Sequence, residues 1–593
     1  MVDTLWLVLG GLMFYWFVMT IAQQQGWLPE QIRTQGPITT LHTQYGKVLL
    51  DRLSQPRRFW RAYGNFGVGI AIVMMAGVFL MVLIAGIQAV VNPQPTVVNE
   101  PQNVLVIPGV NDFLPLSVAP EIVFGLLVGL VVHEGGHGLF CRVGDIEIDS
   151  MGLAMLAIIP IGAFVEPEEM SRLKADRGSQ TRMFAAGVTN NFAVTIVGFL
   201  LLFGPVMGAV SVAPGAPVGD IVTGSPADQA GIERGDRITA INGESVADAD
   251  ALNRRLTEIE DKTVEVTVAT GDGERTERVT RELFVTRSAA GALDGAANDS
   301  GQPVHIQSVN GSNVSTRAEL RSLLESNPRV TVTTNRTEFE LVGGAAVQGL
   351  TEESPLANRS EITNASQFVI TRFDGERIVS ADELSAALEA TTPGDTVQVT
   401  AVVDGEKRQF TTTLTDGPAD HGYIGVTIIP GIGGNTIDDF GIFEYPAEQF
   451  LASLGGTSGL SPMGFLSHSI QALSLPFAGA LGATSYNFAG FVEPVTNFYT
   501  VEGPLSFLGG WLFLIANLLF WTGWININLG FFNCVPAYPL DGGHILRSTT
   551  EAVVSRLNVG DGRRLTRMVT TTIGLTMGAG LVLMVFGPQL FGG

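Results

Sequence analysis

Cysteine is nearly missing: two residues in 593, Cys141 and Cys534, both in apolar runs, exclude a disulfide framework. Lysine is scarcer than it should be. Only Lys47, Lys174, Lys262 and Lys407 are present, and the rest of the 34 basic side chains are arginine. Against them stand 57 acidic residues, for a formal net charge of −23. That balance argues against nucleic acid and against anionic lipid as electrostatic partners. An acidic, lysine-poor surface suits a chain solvated in high salt, where screening removes self-repulsion, and so points to a halophilic source. The first apolar run lacks a basic leader and a small-residue cleavage site, so it reads as an anchor. Repeated membrane halves are also missing, which argues against a transporter.

What the chain has in quantity is long apolar runs. Six approach or exceed the ~20 residues that cross a bilayer: 4–22, 66–91, 119–141, 183–212, 505–533 and 566–590. Arginine placement orients them. The 23–65 loop carries Arg33, Lys47, Arg52, Arg57, Arg58 and Arg61 and is expected inside, whereas 92–118 has no basic residue and is expected outside. The stretch 142–182 and the loop with Arg547, Arg556, Arg563 and Arg564 fall inside again. The polar, acidic middle is then outside. Residues 446–500 are apolar but broken by Gly and Pro, and read as a re-entrant or surface segment or as two further short spans. The expected fold is a multi-span α-helical membrane protein of about six helices with an inserted extracytoplasmic α+β region. Its parts are an N-terminal transmembrane hairpin (1–92), a first membrane half (93–212), the insertion (213–430), an apolar linker or re-entrant segment (431–502) and a second membrane half (503–593).

The insertion repeats itself. Residues 237–252 (RITAINGESVADADAL), 306–320 (IQSVNGSNVSTRAEL) and 369–384 (VITRFDGERIVSADEL) share one pattern. Each is an alternating strand, an Asn-Gly or Asp-Gly turn, and a short helix, followed by another alternating strand. Sequons at Asn298, Asn310, Asn313, Asn335, Asn358 and Asn364 would suit an external face. The first unit is preceded by Gly224-Ser225-Pro226-Ala227 and the third by Ser354-Pro355-Leu356. These strings resemble the PDZ domains of bacterial-type proteases, as two intact modules and a degenerate one or as three. The resemblance implies peptide binding by strand addition. It further implies that Tyr423, Ile424, Gly425 and Val426 form the loop that captures a peptide C-terminus.

Chemistry sits in the apolar runs. The third ends His133-Glu134-Gly135-Gly136-His137, which is H-E-x-x-H. Residues four apart share a helix face, so two imidazoles can hold one zinc ion and Glu134 can serve as general base toward water. Ionisable groups within a span cost ~2.5–3.5 kcal/mol each near its centre, so they are functional by default. A catalytic zinc needs a third protein ligand and an open position. Asp541, in Asn533-Cys534-Val535-Pro536-Ala537-Tyr538-Pro539-Leu540-Asp541-Gly542, lies on the same expected membrane side and is the natural candidate.

With these motifs in hand, the chain resembles the site-2 proteases of regulated intramembrane proteolysis. His133–His137 matches their zinc helix, and Asn533–Gly543 their N-x-x-P-x-x-x-L-D-G element. Gly187-Val188-Thr189-Asn190-Asn191 resembles their G-x-x-x-N, with valine where the family usually has proline after the glycine. The resemblance implies that Asn191 binds substrate or the tetrahedral oxyanion. Residues 160–167 resemble the family's hairpin that dips into the membrane beside the site. Single-span membrane proteins are the implied substrates, and one Zn²⁺ the implied cofactor. Other side chains compete weakly for the metal: Cys141 and Cys534 as small core residues, His544 as an interfacial histidine, and Glu166, Glu168 or Glu169 as a carboxylate ligand. A zinc peptidase of soluble or signal peptides, and an inactive PDZ scaffold, are the rival readings.

Overall fold

The computed structural model describes residues 2–29, 31–93, 103, 107–111, 113–157, 159–288, 303–351, 354–356, 368–417, 421–455, 461–557 and 561–592. Two compact units emerge. One is built from 1–211, 448–492 and 500–593, the other from 212–447 and 493–499.

The first unit is helical. Its main helices are α1 (Val2–Gln24), α2 (Tyr45–Leu53), α3 (Arg57–Val91), α4 (Ala119–Val143), α5 (Arg177–Leu201), α6 (Trp511–Asn533), α7 (Asp541–Val554) and α8 (Gly562–Phe591). Five described helical stretches are long and apolar enough to cross a membrane: 57–91, 116–143, 177–209, 511–533 and 562–591. The sixth expected span falls on α1, whose first eight side chains lie outside the described residues. The stretch 446–500 forms helices Ala447–Leu454 and Pro462–Ser474, both too short for a crossing.

Small residues let these helices approach closely, as apolar helices must when lipid gives no hydrophobic drive to pack. The buried face of α3 reads Gly64, Gly67, Ala71, Met75, Val78, Val82, Gly86 and Ala89, at helical spacing. A Cβ on Gly86 would lie 3.0 Å from the Gly580 carbonyl of α8. Asp176 starts α5 by accepting the Ser179 N–H at 2.9 Å.

Beside α4 lies a four-stranded antiparallel sheet in the order β1 (Ile32–Gln35), β2 (Ile38–His42), β3 (Ile148–Leu156) and β4 (Ile159–Pro167). The expected hairpin is β3–β4. The 23–65 loop, read from sequence only as a charged connection, adds the other two strands, with Ile38 opposite Leu156 and His42 opposite Gly152.

The second unit holds three sheets of one design. The first runs β8-β7-β6-β5-β19, from β5 (Ala216–Ile221), β6 (Arg237–Ile241), β7 (Thr263–Thr270), β8 (Gly273–Thr280) and β19 (Ile442–Glu444). The second runs β12-β11-β10-β9-β18, from β9 (Phe284–Ser288), β10 (Val304–Val309), β11 (Arg329–Thr334), β12 (Glu338–Val342) and β18 (Asn435–Asp438). The third runs β16-β15-β14-β13-β17, from β13 (Ala345–Leu350), β14 (Phe368–Phe373), β15 (Thr396–Val403), β16 (Glu406–Thr413) and β17 (Val426–Ile429). Each has its own buried apolar cluster. Their last strands come in reverse: the third module closes first, then the second, then the first. The modules are nested, and residues 431–444, expected in an apolar linker, supply closing strands instead.

Arg281 and Asp439, both fully buried, tie the first two modules together. Arg281 donates to the carbonyls of Leu256 and Ile259 at the end of helix Ala249–Glu258. Asp439 accepts the Arg317 backbone N–H at 2.7 Å and its Nε at 3.1 Å, at the start of helix Arg317–Ser326. Asp439→Ala would strand a buried guanidinium, so the unit is expected to lose ~3–5 kcal/mol. All seven tryptophans lie outside this unit. Hydrogen exchange at Val285 and Ile437 is therefore the measurement, and unchanged protection there would refute the expectation.

Candidate zinc centre

α4 carries His133 and His137 one turn apart, so both imidazoles leave the same helix face. Their Nε2 atoms stand 3.1 Å apart. Asp541, the first residue of α7, brings Oδ2 to 3.1 Å from His133 Nε2 and 3.3 Å from His137 Nε2. Burial pushes the Asp541 carboxyl up, but His137 and His133 beside it more than offset this and hold it well below the ordinary range.

The three atoms fit a zinc ion. Bonds of ~2.0–2.1 Å in a tetrahedron place ligand atoms roughly 3.3 Å apart, close to the three separations found here. Asp541 Oδ2 is buried without a hydrogen-bond donor, the state of an oxygen built to ligate. Among the described residues, His133, Glu134 and His137 also form a group whose ligand atoms all lie within 4.8 Å of one another.

Surrounding contacts orient the ligands. His137 Nδ1 lies 2.8 Å from the Met183 carbonyl, so its proton sits on Nδ1 and Nε2 is left bare. His133 Nδ1 lies 3.3 Å from the Asn191 side-chain amide, and Asn191 Oδ1 is buried without a partner. When Nε2 of His133 faces the metal, its Nδ1 carries the proton. Turning the amide about then lets Oδ1 accept that proton and removes the orphaned oxygen.

Gly187 sits under the same ring. A Cβ there would come within 2.7–2.9 Å of three His133 ring atoms. Gly187→Ala is therefore expected to tilt His133 and weaken zinc binding at least tenfold while leaving α5 intact. A zinc competition titration beside a circular-dichroism spectrum checks this, and parent-like affinity would count against it. Gly542 has a matching duty in α7, because a Cβ would lie 2.7 Å from the Cys534 carbonyl carbon and push away the loop that carries Asp541.

Glu134 points beside the ligands. Its Oε2 accepts the Val165 N–H at 3.0 Å. Val165 belongs to β4, the edge strand of the sheet among the described residues. This contact was not legible in the sequence, since nothing in the motif names a backbone donor.

The competing side chains are elsewhere engaged. Cys141 Sγ lies 3.4 Å from Met183 Sδ in an apolar cluster, and burial pushes the Cys534 thiol up to about 12, which keeps it protonated. His544 stacks on Phe184 at 4.1 Å with Tyr538 edge-on at 4.8 Å. Glu166 accepts from Ser150 Oγ at 3.0 Å, Glu168 caps the helix Glu169–Lys174, and Glu169 is exposed in its first turn.

In the second unit, Tyr423 exchanges backbone hydrogen bonds with Thr415, and Ile424 is buried with its carbonyl accepting from Ser354 Oγ at 3.0 Å. Gly425, at φ +67°, accepts the Thr351 N–H at 3.0 Å, and Val426 begins β17 at the free edge of the third sheet. Asn310, Asn313 and Asn335 are exposed, while Asn298, Asn358 and Asn364 lie outside the described residues.

The model of peptidase family M50 matches residues 121–577. A Thermotoga maritima protein named zinc metalloprotease is 26% identical over 202 residues, covering 29% of this chain and 40% of its own. A Vibrio cholerae protein of the same name is 26% identical over 191 residues, covering 27% and 41%. An uncharacterized protein of Methanocaldococcus jannaschii is 25% identical over 174 residues, covering 29% and 45%. The chain spans less than half the length of these curated relatives.

Proposed function

The chain belongs to peptidase family M50, and on that premise we propose that it is a membrane-embedded zinc metalloprotease cutting membrane proteins within or beside their transmembrane segments. One observation carries the reading: two histidines of an apolar helix and a remote aspartate converge to within 3.3 Å, with a glutamate alongside.

His133, His137 and Asp541 would hold the ion. When bound, zinc supplies Lewis acidity toward the scissile carbonyl and makes water acidic enough to lose a proton near neutral pH. Glu134 accepts that proton and returns it to the leaving amine. Asn191 keeps His133 oriented through Nδ1, and its amide N–H groups are then free to donate to the oxygen that gains charge. Asn191→Ala is expected to weaken zinc binding about 10–100-fold, as loss of an outer partner does, and to lower the turnover of zinc-saturated enzyme further. Equal turnover at saturating zinc would confine Asn191 to positioning His133.

A helical substrate hides its carbonyls in hydrogen bonds and must be unwound before attack. The free edge of β4 suits an extended chain added as a further strand, beside Glu134. The nested modules would act as PDZ-like filters outside the membrane, admitting substrates by size or capturing a new C-terminus at Tyr423–Val426. Arginine placement supports an active site near the cytoplasmic side.

The test is reconstitution with a panel of single-span membrane proteins and mapping of the products. Cuts within or beside the span, absent with Glu134→Gln, support the reading. Cleavage confined to soluble or signal peptides would replace it with a surface peptidase, and no cleavage at all with a scaffold.

A further inference from the structure

At one end of the first unit, α5, α7 and α8 enclose a cleft of about 1000 Å³. Its basic lining is Arg177 from the first turn of α5, Arg547 from α7, and Arg563 and Arg567 from the first two turns of α8. One acid, Glu551, joins them and is paired with Arg547 at 2.9 Å. Arg177, Arg563 and Arg567 have no acidic partner among the described residues, in a chain with 57 acidic side chains. Four guanidiniums converge on one cleft with a single acid among its lining residues, and that local excess of positive charge suits an outside anion.

The depth of the cleft narrows what that anion is. Arg177 opens the candidate span 177–209, and Arg563 and Arg567 lie at the start of the candidate span 562–591. Both ends coincide with the headgroup layer when the helices cross a bilayer. Val554 and Leu557 give the cleft apolar wall as well, suited to glycerol and the first acyl carbons. Guanidinium groups bind phosphate through paired N–H donors, and basic pockets between helix ends hold lipid phosphates in this way.

We propose that this cleft binds the phosphate of an anionic phospholipid headgroup. The site rests on the reading of α5 and α8 as spans, and not on the peptidase chemistry. The net charge of −23 opposes broad attraction to an anionic surface, so the contact is local and specific. Tyr538, from the loop that leads into Asp541, also lines the cleft.

The experiment uses the purified full chain in detergent, with retained lipid counted by native mass spectrometry. The probes are phosphatidylglycerol, phosphatidylcholine and inorganic phosphate. The comparison is between the parent, the pair Arg563→Gln with Arg567→Gln, and a charge-matched pair Arg58→Gln with Arg61→Gln from the 23–65 loop. Zinc content equal to the parent shows that each variant is folded. The proposal expects phosphatidylglycerol to be retained by the parent and the control pair, and roughly tenfold less by the cleft pair. Phosphatidylcholine should be retained poorly by all three. Inorganic phosphate binding that depends on the cleft arginines, without phosphatidylglycerol binding, would reassign the source to a free anion and overturn the lipid assignment. Equal retention by the cleft and control pairs would overturn the site itself.

Discussion

Glu134→Gln is expected to bind one zinc per chain and to hydrolyse at least about 10²–10⁴-fold more slowly than the parent. The substitution is chosen for what it leaves alone. Glutamine has the shape of glutamate, and its side-chain oxygen can still accept the Val165 N–H that Glu134 accepts at 3.0 Å. The β4 edge therefore stays where it is, and the zinc ligands are untouched. Only the basic oxygen is lost. Zinc content by elemental analysis and initial rates on one membrane substrate make the comparison. A variant that lost zinc would show that Glu134 helps build the centre. One that kept full activity would remove it as the base.

Asp541→Ala should act at the other half of the site, by removing metal. Three candidate ligand atoms within 3.3 Å of one another would hold the ion, and two imidazoles alone would leave it without the negative charge that burial makes valuable. The loss of affinity should exceed the roughly 10–100-fold that an outer partner costs, so the purified variant should carry little zinc and show no hydrolysis. Excess zinc should restore activity in part, because His133 and His137 remain on one helix face. Retention of stoichiometric zinc by Asp541→Ala would instead call for another third ligand. The Gln and Ala variants thus separate two failures that activity alone would confuse: chemistry lost with metal present, and chemistry lost with metal absent.

The site was largely legible because its chemistry is written in side chains. His133 and His137 share a helix face at any sequence reading, and arginine placement put Asp541 on the same expected side of the membrane. What the sequence hid was backbone and absence. The Val165 N–H that Glu134 meets is a property of strand pairing, which no residue type announces. Gly187 was legible as part of a motif but not as the floor of the His133 ring, since a missing Cβ has no signature until its neighbour is placed. The strands at 32–35 and 38–42 were read as a charged loop because arginine placement dominated. Yet Gly36-Pro37 between two alternating runs was a hairpin signal in plain view. The repeat pattern of the insertion was visible, but the return of 435–444 to the two earlier modules was not. Short strands of four and three residues carry too little periodicity to reveal their partners.

That return path has a consequence for how the chain must come to be folded. The closing strand of the third module pairs with a segment about 80 residues earlier, that of the second about 150 earlier, and that of the first about 220 earlier. Loop-closure entropy rises by only about 0.6 kcal/mol for each doubling, so the outermost sheet is barely penalised at equilibrium. Order of synthesis is another matter. The first module to leave the ribosome is the last that can be completed, and any chain ending before residue 442 lacks its final strand. The innermost module is complete with β17, so completion runs from the inside outward.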